Sequence, residues 1–218
     1  MRPTPVFDAY LQSTAIVDWQ TPSILAIAKT LADNRADKIA IAKTCFTWVR
    51  DEIRHSVDNA MNPVTCRASE VLQHKTGFCF AKSHLLAALL RANQIPAGFC
   101  YQRLSIDDQG PPYSLHGFNA VYLPNFGWYR VDARGNKPGI HAQFAPPVEQ
   151  LAYAIGLPEE RDFPEIFADP LPAVIQTLQT HTHWEDVMRH LPDSVDPGQD
   201  APPQTVLDRA QSAPADGV

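Results

Sequence analysis

The feature that most constrains the fold of this chain is a change of hydrophobic period near residue 96. Before it, Ala81, Leu85 and Leu89 recur at helical spacing on one apolar face, and Ile95-Pro96 ends the helix. After it, apolar and aromatic residues alternate, as they do in strands. The sequence therefore predicts one long buried helix followed by three strands, over 98–104, 116–123 and 127–133.

Other parts of the chain carry helical signals of their own. Residues 37–54 have an apolar stripe at spacings of three and four, and Thr21-Pro22 is typical of a helix start. Weaker patterns predict further elements. These are helices over 22–31, 68–74, 173–179 and 184–190, and a strand over 149–155.

Composition limits the classes of function. The 218 residues are 44% apolar, which suffices for one core. With a net charge of −6 and no basic run, nucleic acid is not an expected partner, and no apolar stretch is long enough to cross a membrane. The first residues lack the apolar segment of a secretory signal, so we expect a cytoplasmic protein.

The four cysteines are irregularly spaced, without a Cys-x-x-Cys pair. In a cytoplasmic protein we expect free thiols, and neither a metal site nor a cofactor.

Cys79 lies in the first turn of the long helix, ahead of its apolar stripe. The unpaired N–H groups and the positive end of the helix dipole favour a thiolate there, and the thiolate is the nucleophilic form of cysteine. A small buried hydrophobic residue is the alternative interpretation of Cys79.

A hairpin is expected to bring His116 close to Asp132. Residues 124–126 fit a three-residue loop, which pairs Leu123 with Gly127 and, further along, Phe118 with Asp132. His116 then becomes a diagonal neighbour of Asp132, roughly 7 Å away by backbone position. A carboxylate there can orient an imidazole. The alternatives are an ordinary strand histidine, an aspartate that caps a turn, or a register shifted by one residue.

Three segments resemble motifs of one known family. Thr76-Gly77-Phe78-Cys79 with the Leu-rich helix is similar to the nucleophile helix of the transglutaminase-like superfamily. The segment 115–122 resembles its histidine strand, and 127–132 resembles its aspartate strand. The departures, Gly117 and Asn93-Gln94, leave the motifs intact.

The resemblance implies an α+β, papain-like fold with the nucleophile helix packed on an antiparallel sheet. It also implies Cys79 as nucleophile, His116 as base and Asp132 as the residue that orients this base. We expect an acyl-transfer enzyme that hydrolyses a peptide or protein amide through a thioester. The alternatives are a transglutaminase with an amine acceptor and a binding module without turnover; the substrate and the oligomeric state stay open. The expected organisation is an N-terminal segment (1–36), a catalytic core (37–136), an extension of the same domain (137–191) and a disordered tail (192–218).

Two tryptophans are weaker candidates. Trp48 is predicted to pack in the core rather than to contact an oxyanion, and Trp128 either lines the cleft or packs in the core. His84 is five residues after Cys79 and is expected to point elsewhere.

Overall fold

The computed structural model describes residues 7–33, 37–195 and 204–205. The predicted disordered tail lies outside the described residues, except at 192–195 and 204–205. The described part begins with a 3₁₀ turn over Asp8–Leu11 and contains six α-helices. In chain order these are α1 (Pro22–Ala32), α2 (Lys38–Glu52), α3 (Ala68–His74), α4 (Cys79–Ala92), α5 (Pro172–Thr180) and α6 (Trp184–Arg189).

The strands of the described residues form one four-stranded sheet and three two-stranded pairs. They are β1 (Arg54–His55), β2 (Thr76–Gly77), β3 (Ala97–Ser105), β4 (Tyr113–Leu123), β5 (Gly127–Val131), β6 (Gln143–Ala145), β7 (Val148–Gln150), β8 (Arg161–Asp162), β9 (Glu165–Ile166) and β10 (Gln204–Thr205). The four-stranded sheet is antiparallel in the order β5-β4-β3-β8.

Helix α4 forms the centre of the molecule. Thirteen of its fourteen residues are buried, which is why its pattern is apolar on more than one face. It packs against β4, where the Ser83 hydroxyl donates to the carbonyl of Gly117 (3.2 Å) and the Asn119 amide donates to the carbonyl of Ser83 (3.1 Å). Gly117 is required for this contact, since a Cβ there would lie 2.5 Å from a ring carbon of Phe80.

The opposite face of the sheet carries a smaller apolar cluster. Trp128 packs there at 6% exposure, with its ring centroid 4.8 Å from that of Tyr10. Of the two predicted positions for Trp128, lining the cleft or packing in the core, the structure shows the second. The cluster consists of Tyr10, Cys100, Phe118, Ala120, Trp128 and Ile166.

The predicted α+β fold, with a helix on an antiparallel sheet, is confirmed. The predicted helices are present with ends within two residues, and Leu123 pairs with Gly127 as the three-residue loop required. The strand predicted over 149–155 is wrong in extent, because only Val148–Gln150 is a strand. The chain leaves the β6–β7 pair there, since the N–H of Ala152 donates to the carboxylate of Asp132 instead of to a neighbouring strand.

Candidate active site

Cys79 is the first residue of α4, and its side chain lines a cleft of about 510 Å³. No side chain caps this helix start: Phe78 is the N-cap residue. The first N–H groups of a helix have no intrahelical acceptor, so the backbone around Cys79 offers free donors to a ligand. The parallel pair β1–β2 precedes the helix and fixes this corner, since the N–H of Ser56 donates to the carbonyl of Gly77 (3.1 Å).

His116 and Asp132 form a buried hydrogen bond. His116 Nε2 lies 2.7 Å from Asp132 Oδ2, and Asp132 is 0% exposed. The other carboxylate oxygen accepts from the N–H of Arg134 (3.0 Å), and Oδ2 also accepts from the N–H of Ala152 (3.1 Å). Because Nε2 is occupied, Nδ1 is the ring nitrogen left for the thiol of Cys79.

The ring of His116 is fixed from both sides. The ring of Phe118 stacks on it at 5.9 Å between centroids, and the ring of Tyr153 meets it edge-on at 4.9 Å. The structure thus brings Cys79, His116 and Asp132 to one corner of the cleft, in an arrangement suited to nucleophilic acyl transfer.

The surroundings of His116 and Asp132 favour an ion pair between these two side chains. Burial lowers the pKa of His116, but the Asp132 carboxylate and the hydrogen-bonded thiol of Cys79 raise it, and the result is a pKa of about 10. Burial raises the pKa of Asp132, but the charge and hydrogen bond of His116 and two backbone N–H groups bring it below its ordinary value. An imidazolium beside a carboxylate is the state that these surroundings favour.

The ion pair of His116 and Asp132 makes the free energy of unfolding depend on pH. The folded pKa of His116 is raised, so its contribution is complete below about pH 6.5 and is lost as the pH rises towards 10. We expect the free-energy advantage of the native protein over His116→Gln to shrink steadily as the pH rises through that range. Urea unfolding of both proteins from pH 6 to 10 measures this, and a constant difference would contradict the ion pair.

Sequence reasoning missed an ionic cluster on the same cleft. Arg134 donates two hydrogen bonds to Asp58, at 2.6 and 3.0 Å, and Lys137 donates a third at 2.7 Å. Burial raises the pKa of Asp58, but these hydrogen bonds bring it to about 2. The only available signal was a group of titratable residues, His55 and Asp58, in a segment without periodicity.

Lys82 was also missed. It lies one turn after Cys79 and is 1% exposed, and its amine donates to the carbonyls of Ile53 and Arg50, which end helix α2. Burial, and then the charge of Arg134, lowers its pKa to about 7. Lys82 therefore connects the nucleophile-bearing helix to α2.

The weaker candidates take no part in this site. Trp48 is half-buried on another face, with the Lys75 amine 4.3 Å above its ring. The His84 ring lies 2.7 Å from the Cys66 carbonyl in the core, and burial lowers its pKa to about 4. None of Cys45, Cys66, Cys79 and Cys100 is joined in a disulfide.

Within the part of the chain that the structure describes, no helix is long and apolar enough to cross a membrane. The same residues contain no group of three or more His, Cys, Asp or Glu side chains arranged to hold a metal ion.

Solved structures share parts of this fold. A candidate cysteine protease from Cytophaga hutchinsonii is 18% identical, with a TM-score of 0.47 over 60% of this chain and 45% of that one. The periplasmic domain of TgpA from Pseudomonas aeruginosa is 20% identical, with a TM-score of 0.42 over 57% and 45% of the two chains. Red sea bream transglutaminase is 14% identical, with a TM-score of 0.40 over 50% and 26%. Each match thus spans less than half of the solved chain.

No curated protein gives a significant match to this chain. A family model described as the transglutaminase-like superfamily matches residues 25–133. The matched segment includes Cys79, His116 and Asp132 and amounts to half of the chain. The protein therefore belongs to the transglutaminase-like superfamily.

Proposed function

We propose that this protein is a cysteine-dependent acyl-transfer enzyme that hydrolyses an amide or peptide bond through a thioester. The observation that carries the proposal is the buried hydrogen bond from His116 to Asp132, formed beside Cys79 at the start of α4. A nucleophile, a base and a group that orients the base are the parts that such chemistry requires.

In the first half-reaction the Cys79 thiolate attacks the substrate carbonyl and forms a carbon–sulfur bond. The carbonyl oxygen takes the electron pair of the broken π bond, near the free N–H groups at the start of α4. As the carbonyl re-forms, the carbon–nitrogen bond breaks and His116 gives its proton to the leaving amine. The products are a thioester on Cys79 and a neutral imidazole.

In the second half-reaction His116 takes a proton from water, and the water oxygen attacks the thioester carbonyl. The carbon–sulfur bond then breaks with its electron pair on sulfur, which releases a carboxylic acid and restores the Cys79 thiolate beside a protonated His116. An amine in place of water would give a new amide, which is the transglutaminase alternative. The substrate class in either case is a peptide or protein amide.

The experiment that tests the proposal measures iodoacetamide labelling of Cys79 against pH, located by peptide mapping. An ordinary thiol is only a few per cent ionised at pH 7, so pairing with His116 should raise the native rate about 30-fold over His116→Ala at that pH. The buried Cys45 and Cys100 serve as internal references.

Equal labelling of the two proteins at pH 7 would overturn the catalytic proposal and leave a binding module. If His116 does activate Cys79, incubation with casein, with and without a labelled primary amine, shows whether water or an amine accepts the acyl group. Hydrolysis releases peptides or ammonia and leaves the labelled amine unbound, whereas transglutamination releases ammonia and incorporates the amine.

A further inference from the structure

The ionic cluster of Asp58, Arg134 and Lys137 has more positive charge than its one carboxylate balances. Arg134 binds both oxygens of Asp58 (2.6 and 3.0 Å), and this bidentate pair already neutralises the carboxylate. Lys137 adds a second cation, with its amine 2.7 Å from Oδ1 of Asp58. Two positive charges against one negative charge leave an unbalanced cation on the cleft wall of a protein whose own net charge is −6.

Lys137 is the member of the cluster that can change its partner. Its side chain is 42% exposed, whereas that of Arg134 is 6% exposed. Its backbone is held by a tight turn, in which Lys137 and Ile140 exchange two backbone hydrogen bonds (3.2 and 2.8 Å). An exposed ion pair to a carboxylate that already has a partner contributes little to stability. The ammonium of Lys137 can therefore turn from Asp58 to an anion in the cleft.

The ring of Tyr153 places this cluster beside the reactive residues. The ring lies 4.9 Å from that of His116, between centroids, and its centroid is 5.7 Å from the guanidinium carbon of Arg134. Lys137 and Cys79 line the same cleft. A group bound by Lys137 would thus belong to the molecule whose carbonyl Cys79 attacks.

The rest of the cleft offers little to an anion. Among the described residues that line it, Arg134 and Lys137 are the only lysine or arginine side chains. Of the two other carboxylates, that of Glu160 accepts three backbone N–H groups, and that of Asp108 lies in the exposed loop between β3 and β4. Much of the remaining wall is apolar, with Leu104, Ile106, Leu115, Met188 and Leu191.

We propose that Lys137 binds a carboxylate of the substrate, so that the enzyme selects amides with an acidic group close to the bond that is cleaved. This assignment rests on the acyl transfer proposed above and names a substrate class for the same site. The carboxylate belongs either to an acidic side chain or to the end of a peptide chain, and both present the same oxygens to an ammonium. Lys137 holds the substrate and takes no part in making or breaking bonds.

The test uses three alkylating probes of matched size. N-iodoacetylglutamine has an α-carboxylate, N-iodoacetylisoglutamine has a side-chain carboxylate, and N-iodoacetylglutaminamide has neither. With each probe the Cys79 thiolate forms a bond to the iodomethyl carbon, and iodide leaves with the electron pair. The labelling rate of each acid divided by that of the diamide measures the preference for that carboxylate, and it cancels any change in the reactivity of the thiol.

We expect this ratio, for one of the two acids, to be about fivefold higher in the native protein than in Lys137→Gln at low ionic strength. Lys137→Arg should retain the native ratio, and added salt should reduce it, because exposed charges are screened. The acid that shows the preference identifies the source of the carboxylate. Lys43→Gln, at an exposed position of α2 outside the cleft, is the matched control and should keep the native ratio.

Equal ratios in the native protein and in Lys137→Gln, for both acids, would overturn the assignment. This result is separate from failure of the proposed function, which is decided by the diamide alone. If His116→Ala labels with the diamide as fast as the native protein, the acyl-transfer proposal fails, whatever the ratios are. If His116→Ala is slower but the ratios are equal, only the substrate class is wrong.

Discussion

Replacing Asp132 with alanine should lower the rate of Cys79 acylation by about 10³-fold. The carboxylate fixes the tautomer of His116 by accepting from Nε2 (2.7 Å) and stabilises the charged ring. Without it the imidazole is free to turn, and its pKa loses the largest of the influences that raise it. The measurement is the burst of p-nitrophenolate released from p-nitrophenyl acetate at pH 7 in the native and variant proteins.

The same substitution should also destabilise the fold, by about 3–5 kcal/mol, because it leaves a buried imidazole and two N–H groups without their partner. Asp132→Asn is the matched control. It keeps the shape of the side chain but not the charge, and its amide can hold the ring in the wrong tautomer, so its burst rate should also fall by about 10³-fold or more. A folded alanine variant whose burst rate is within tenfold of native would refute the orienting role of Asp132.

Arg91→Met should destabilise the protein by about 3–5 kcal/mol. Arg91 is 0% exposed and lies in the last turn of helix α4. Its guanidinium donates to the carbonyls of Gln12 (2.8 Å), Ala97 (2.9 and 3.2 Å) and Ala168. Burial lowers the pKa of this guanidinium to about 10. Methionine fills similar volume but leaves three carbonyls without this donor, among them the buried carbonyl of Ala97.

Urea unfolding at pH 7 measures the effect of Arg91→Met. The control is Arg161→Met, at an exposed position, which should stay within about 0.5 kcal/mol of the native value. If Arg91→Met lowers the free energy of unfolding by less than about 1 kcal/mol, water replaces the guanidinium at these carbonyls and the prediction is wrong.

The hydrophobic period and the turn residues were sufficient to predict helix α4 and the hairpin of β4 and β5. The register that places His116 near Asp132 follows from a three-residue loop, and Gly127 adopts the positive φ (72°) that such a loop needs. These elements are long, and each is specified by residues adjacent in sequence. Their roles in catalysis remain proposals.

The rest of the cleft depends on contacts between distant segments. Asp58 meets Arg134 across 76 residues, and no periodicity connects the two positions. The strands β8 and β9 have two residues each, too few for an alternating pattern.

The lining of the cleft suggests how such a protein diversifies. Tyr153, Glu160, Met188 and Leu191 form part of its wall, and all four follow the last residue, 133, that the family model matches. The Pro192 carbonyl accepts from the N–H of Leu115 (2.7 Å), which holds this distal wall beside His116. The reactive groups and this part of the wall are thus encoded by different stretches of the gene. Evolution, or an engineer exchanging the distal stretch between homologues, could alter what enters the cleft while the reactive groups stay unchanged.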